Sequence, residues 1–253
     1  MTVTEGFQTI QYRVADGVAH LVFNRPASLN AINPQMMREI IAAAGLINAD
    51  PAVRVAILSG AGGRAFSAGH DLKERDPGPA LHHQAIASID RPTIAAIGGY
   101  AIGGVLEAAL ACDLRVAADD AKLGLPEVRR GLMPRAGGTQ RLSRLVGPGH
   151  ALRIALSGEL IDAREAHRIG LVNEVVPRDQ LMSAAVGLAR AIGLGAPLAT
   201  RFVKEAINAG YGMSLADGLR LEADLAARNG ATADAQEGVR AFAEKRTPEW
   251  RGR

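Results

Sequence analysis

Apolar residues along this chain fall into short runs rich in Val, Ile and Leu, separated by stretches in which they recur every three or four positions. The runs at 18–23 and 53–58 end at the breakers Asn24-Arg25-Pro26 and Ser59-Gly60, and residues 34–48 between them carry a helical period. A further strand is expected over 93–97, stopping at Gly98-Gly99. A second glycine pair, Gly103-Gly104, then precedes a helix over 105–112 and a short strand over 114–117. Such alternation predicts an α/β domain. From about Thr139 the period is mostly helical, with one strand-like run at 171–176. Asp162 followed by Glu165 reads as a helix start with a capping box, and Gly170 reads as its stop. Residues 181–245 are helical segments punctuated by Gly195-Ala196-Pro197 and Gly210-Tyr211-Gly212. A helical end of this kind packs well against a neighbour, so an oligomer is expected.

At 253 residues and 48% hydrophobic, the chain can bury a sizeable core. Its most membrane-like stretch, 93–112, holds Gly98, Gly99, Gly103, Gly104 and the ionisable Glu107, which favours a buried strand, turn and helix over a membrane span. The first seven residues lack a basic stretch followed by an apolar run, so the cytoplasm is the expected location. The lone Cys112 can form no intrachain disulfide and reads as a small apolar filler. Net charge is +3, with Arg129, Arg130, Arg135, Arg141 and Arg144 gathered in one stretch. These arginines suit an anionic small ligand or simply a solvated face, and individually the solvated reading is preferred. Aromatics are only 4% and do not interleave with the basic residues, so nucleic-acid binding is not expected.

Chemistry concentrates in two carboxylates and two glycine-bearing segments. Gly103 and Gly104 just before a helix favour an exposed N–H with partial positive charge from the helix dipole. Glu107 follows Gly104 by about one helical turn and can face the same cavity. Glu127 follows Pro126 among Leu123, Leu125 and Val128, a setting that can raise a carboxyl pKa and make it an acid near neutrality. A solvated loop glutamate and a glycine turn used only for close packing fit the same local sequences. His70 beside Asp71 equally fits a surface hydrogen bond, and no His, Asp or Glu grouping has a metal-ligand spacing. Enolate chemistry needs this combination of backbone donors and positioned acids or bases.

Several ordered motifs resemble the crotonase, or enoyl-CoA hydratase/isomerase, family. They are Asn24-Arg25-Pro26 with Leu29-Asn30-Ala31, the run 65–74 through Phe66-Ser67-Ala68-Gly69-His70-Asp71-Leu72-Lys73, Arg91-Pro92-Thr93, the run 99–107, Gly124-Leu125-Pro126-Glu127 and Gly137-Gly138-Thr139-Gln140-Arg141-Leu142. Similarity at 156–158, 166–176 and 242–246 extends the match over nearly the whole chain. The resemblance implies a spiral of β-β-α turns over 1–190 and a helical trimerisation region over 191–253, assembled as trimers or hexamers. It implies a coenzyme A thioester as substrate, with no separate cofactor or metal, whose carbonyl oxygen is held by the backbone N–H groups of His70 and Gly104. It places the catalytic carboxylates at Glu107 and Glu127, which together hold a water. Lys73 and Lys245 match positions that meet coenzyme A, while Ala68, Asp71 and Leu72 complete its strip and Leu29 borders it. Solvated lysines remain the alternative.

Both glutamates being present favours addition of water to a 2-enoyl-CoA. Three departures bear on the substrate. The stretch 75–90 with Pro77-Gly78-Pro79 is shorter than in typical hydratases, which would reshape the acyl pocket. Arg135 stands where those enzymes usually carry glycine, so a polar or carboxylated acyl group or a changed water site is conceivable. Ala226 replaces an aromatic that holds adenine in some relatives. Isomerisation or dehydration of a polar hydroxyacyl-CoA is the alternative reaction, and a non-catalytic acyl-CoA- or RNA-binding relative is the alternative of another class.

Overall fold

Over residues 55–124 consecutive strands alternate between two sheets, and a helix closes each turn. The computed structural model describes residues 2–3, 6–74 and 81–253; residues 75–80, and with them Pro77-Gly78-Pro79, lie outside these. The amino-terminal part comprises β1 (Thr2–Val3), β2 (Ile10–Ala15), β3 (Val18–Phe23) and helix α1 (Pro34–Ala49). Three turns follow: β4 (Val55–Gly60), β5 (Ala65–Ser67) and α2 (His82–Ala87); β6 (Thr93–Ile97), β7 (Tyr100–Ile102) and α3 (Gly104–Ala111); then β8 (Leu114–Ala118), β9 (Lys122–Gly124) and α4 (Gly138–Ser157). Short β10 (Ile161–Asp162), α5 (Ala163–Arg168) and β11 (Glu174–Val176) complete the spiral. Helices α6 (Leu181–Gly193), α7 (Pro197–Gly210), α8 (Leu215–Gly230) and α9 (Ala233–Ala243) form the tail.

The larger sheet runs β1-β2-β3-β4-β6-β8-β11 and the smaller β10-β9-β7-β5. From β3 to β11 the larger sheet is parallel. Every residue of β6 is buried, as expected of a parallel strand covered on both faces. Ile94, Ala96, Ile57 and Val116 meet Leu181 and Ala185 of α6 on one side. Ala95, Ile97 and Leu58 join the larger core with α1 and α3 on the other.

The expected elements agree closely, with local differences that have identifiable causes. Strand β4 runs through Ser59 and Gly60 because both pair with β3, at Val22 and Phe23. Only Glu174–Val176 of the run 171–176 is strand, since the amides of Leu171 and Val172 turn back to the Ala166 carbonyl. Asp162 caps α5 by accepting from the Glu165 amide at 2.8 Å. The reciprocal half of the capping box is absent among the described contacts, as the Glu165 carboxylate pairs instead with Arg153 and Arg168. Cys112 is buried and its thiol is pushed up to about 12, first by burial, in keeping with a filler role.

The tail is pinned to the core through α7. Lys204 Nζ donates to the carbonyls of Ile89 and Arg91 at 2.7 and 2.9 Å and to Asp113 Oδ2 at 2.7 Å. Beyond that anchor, Val203, Ile207, Leu215 and Phe242 are exposed, the last at 88%. Residues 191–193 complete α6, so the expected division at 190 falls inside its last turn. Among the described residues no single helix is long and apolar enough to cross a membrane.

Candidate active site

The segment after β5 is positioned from the amino-terminal loop. Asn30 accepts from the Arg25 amide at 3.0 Å and donates to the carbonyls of Ala61 and Ala65, both at 2.9 Å. The Ala68 amide donates to Leu29, whose φ of 50° turns its carbonyl toward that segment. The Ile32 amide donates to Gly69 and the Asp71 amide to Ile32, each near 2.9 Å, so residues 69–71 are clamped like one more strand. Arg25 closes the arrangement with ion pairs to Asp71 at 2.9 Å and Glu74 at 3.0 Å. Burial works against the Asp71 charge, but the Arg25 guanidinium and the amides of Lys73 and Glu74 outweigh it and hold its pKa below the ordinary value.

The glycines bring this segment against the start of α3. Gly69 has φ +96°, and a Cβ there would lie 2.7 Å from the Ile102 carbonyl oxygen and 3.9 Å from the Gly104 nitrogen. Gly104 opens α3, where a first-turn N–H has no acceptor within the helix. A Cβ on Gly104 would collide with Nδ1 and Cε1 of His70. The His70 side chain therefore packs directly on the helix start, with its ring centroid 5.2 Å from that of His82 in an edge-on contact. His82 is wholly buried and in turn lies edge-on to His83 at 5.8 Å. Burial first, then the neighbouring His70 and His83, takes the His82 pKa down to about 3, which leaves it neutral.

Glu107 and Glu127 border one cavity of about 280 Å³ with Ala68, His70, Asp71, Leu72 and Gly104. Glu107 is 1% exposed, and its Oε1 accepts from the amides of Ala136 at 2.8 Å and Gly138 at 2.7 Å. Those donors belong to the loop before α4 and its first residue, so Glu107 sits at the positive end of that helix. Burial still raises its pKa; the amides of Gly138, Ala136 and Arg135 and the Arg141 charge only moderate the rise. Glu127 lies in the 3-10 segment Pro126–Arg130, with Oε1 placed 3.1 Å from where a Gly103 Cβ would be. Its Oε2 is buried without a hydrogen-bond partner among the described residues. Burial foremost, with the Glu107 charge adding, pushes Glu127 up to about 7 against its own amide and Arg130.

The structure thus gathers Ala68, His70, Asp71, Leu72, Gly104, Glu107, Glu127 and Arg135 at one cavity. Leu29, Lys73 and Lys245 do not border it in this chain: Leu29 acts through its carbonyl, Lys73 is exposed, and Lys245 follows α9. Ala226 is exposed on α8. The solvated-face reading holds for Arg130 and Arg135, which are exposed and also border the cavity, and needs correction for Arg141, which is half-buried and donates to the Ala136 carbonyl at 3.2 Å. It holds also for Arg144, whose side chain bonds, among the described residues, only within its own exposed turn. Reading the sequence missed His82 and His83. Their consecutive polar side chains at the start of a short helix carried no signal of burial.

A sequence profile of the enoyl-CoA hydratase/isomerase family matches residues 13–253. The chain is 40% identical to a probable enoyl-CoA hydratase of Mycobacterium bovis, over 96% of this chain and 98% of that protein. It is 39% identical to the crotonyl-CoA hydratase of Syntrophomonas wolfei, over 95% of this chain and 96% of that one. Among solved structures, enoyl-CoA hydratase from Bacillus anthracis superposes with a TM-score of 0.94 at 39% identity, covering 97% of this chain and all of that one.

Proposed function

Because the chain belongs to the enoyl-CoA hydratase/isomerase family, we propose that it adds water across the 2,3 double bond of an enoyl-CoA thioester, with Glu107 and Glu127 as the proton-transferring pair. The observation that carries this reading is the convergence of the two carboxylates, the His70 segment and the amide end of α3 on one cavity. In the proposed reaction the thioester oxygen accepts hydrogen bonds from the main-chain amides of His70 and Gly104. Negative charge collects on that oxygen as the nucleophile attacks, so donors fixed in place lower the barrier; loss of one such donor typically costs about 2.7–4 kcal/mol.

Glu107, ionised, takes a proton from a water molecule as the water oxygen bonds to C3. The electrons of the double bond move onto the thioester as an enolate. Glu127, protonated, gives its proton to C2, and the carbonyl re-forms. Water is thereby added in full, and the two carboxyls recover their starting states by exchange with solvent. The division of labour follows their surroundings, since two amides steady the Glu107 anion whereas Glu127 keeps an unpartnered buried oxygen that favours the neutral acid. No cofactor takes part in the proposed chemistry. Ala68, Asp71 and Leu72 form the strip for the pantetheine arm, with Lys73 and, from the tail, Lys245 meeting the nucleotide end.

The exposed apolar side chains of α7, α8 and α9 support assembly of the chain as a trimer or hexamer, which sedimentation of the full chain would check. For the reaction, purified protein should convert crotonyl-CoA to 3-hydroxybutyryl-CoA, followed by loss of the enoyl absorbance and by NMR of the product. Tight binding of enoyl thioesters with no turnover would overturn the reading in favour of a binding protein. A shifted double bond in the product would favour isomerisation.

A further inference from the structure

Hydration as proposed makes Glu107 the base, and on that reading its aim decides the rate. Both amides that reach Glu107 arrive at one oxygen, Oε1, from Ala136 at 2.8 Å and Gly138 at 2.7 Å. Gly137 between them has φ +104°, a left-handed conformation that lets N–H groups on either side converge as a backbone nest for an anion. Two adjacent glycines rotate freely and hold no such shape by themselves. Arg141, in the first turn of α4, supplies what fixes them.

The Arg141 amide donates to the Gly137 carbonyl at 2.7 Å, and its Nη1 donates to the Ala136 carbonyl at 3.2 Å. Ala136 is wholly buried, and among the described residues Arg141 is the donor its carbonyl meets. A Cβ on Gly137 would collide with Nη1, so the guanidinium lies directly on that glycine. A Cβ on Gly138 would lie 2.9 Å from Glu107 Oε1. The loop 136–138 is therefore gripped between the two side chains, its amides given to Glu107 and its carbonyls to Arg141. Burial disfavours the Arg141 charge while Glu107 supports it, and Arg141 in return favours the Glu107 anion.

We propose that Arg141 is a positioning residue for the reaction, clasping the loop 136–138 so that its two amides stay aimed at Glu107. The other ionisable groups around Glu107 are Glu127 and Arg130 on the 3-10 segment, Arg135 in the loop before Ala136, and His70, Asp71 and Glu74 across the cavity. Cys112, at the far end of α3, stays a neutral thiol. None of these is altered in the test. The full chain is compared with Arg141→Met, which loses charge and donor, Arg141→Gln, which keeps a donor, and Arg141→Lys, which keeps the charge. Hydration of crotonyl-CoA gives kcat and KM. Infrared difference spectra taken across pH follow protonation of Glu107 without turnover, its carboxyl band being assigned by its loss in Glu107→Gln.

Arg141→Met is expected to lower kcat by about a hundredfold, the scale of a reacting group moved off its line, with KM within about twofold. Its Glu107 band should titrate at higher pH than in the unaltered chain, because both the aimed amides and the favourable charge are weakened. Arg141→Gln should shift the band in the same direction with a smaller loss of kcat, and Arg141→Lys should restore part of both. Should Arg141→Met fail to fold, Arg141→Gln carries the same test. A Glu107 titration unchanged in the folded variants would overturn the inference whatever the rate does, since the arginine would then serve the fold alone. If the titration moves while the unaltered protein hydrates no enoyl thioester, the positioning of Glu107 stands and the hydration reading falls.

Discussion

Two glutamates in this molecule, Glu39 buried and Glu127 half-buried, share a side chain and almost nothing else. Glu39, where α1 meets β2, is 4% exposed and accepts from the amides of Gln8, Thr9 and Ile10, the Thr9 hydroxyl and Gln35, at 2.5–3.1 Å. Burial disfavours its charge, yet the Thr9 hydroxyl, the amides and Gln35 more than compensate and its pKa falls below the ordinary value. Glu127 has a buried oxygen with no such partner and rises to about 7. Desolvation acts on both, and the supply of donors decides the sign. A carboxylate saturated with donors holds elements together, whereas one denied them is held ready to give up a proton.

Substitution should separate the two roles sharply. Glu127→Gln and Glu107→Gln are each expected to lower kcat by about 10²–10⁴-fold, the usual contribution of a positioned acid or base. The thermal midpoint of Glu127→Gln should equal or exceed that of the unaltered chain, because the amide removes a carboxyl whose charge burial disfavours. Turnover within a few-fold of normal in either variant would break the comparison. The next largest effect is on the pH profile. The proposed hydration needs Glu127 protonated and Glu107 ionised, so kcat/KM should fall about tenfold per unit as pH rises beyond about 7. It should fall again on the acid side as Glu107, itself raised, takes up a proton. A flat profile from pH 6 to 9 would take the acid role away from Glu127.

Glu39→Gln should do the reverse, leaving kcat within about twofold and lowering unfolding free energy by about 2 kcal/mol, read from denaturant titration. Since the folded-state pKa of Glu39 is depressed, its contribution is complete above the unfolded carboxyl value and fades as pH falls through the folded one. The stability gap between variant and parent should therefore close in acid. A gap that widens there would mean that Glu39 is not the donor-saturated anion described.

Much of this was legible before any coordinates. β6, α1 and α3 were readable because a fully buried parallel strand and two helices each write a long, regular pattern of apolar residues. Glu107 could be singled out because a glycine pair and one helical turn are both local signals. The smaller sheet was largely missed: β5, β7 and β9 have three residues each, too few for a period of two to show. Arg130 and the His70, His82 and His83 contacts depend on how successive spiral turns stack, which no local pattern encodes. Arg130 is exposed as read, but its place at the cavity was not legible, because the orientation of the 3-10 segment that carries it arises only in the folded chain.

Helix α4 is interrupted at Gly147, where φ is 78° and ψ 158°, just ahead of Pro148. The portion that offers its first amide to Glu107 is consequently a stub, cut off from the stiffness of the full rod. Its distal end is tied down from outside, by the Tyr211 hydroxyl donating to the Arg144 carbonyl at 2.7 Å. The aim of Glu107 is thus shared between a loop at one end and the helical tail at the other. Loosening the tail at Tyr211 would blunt chemistry well before it melted the spiral.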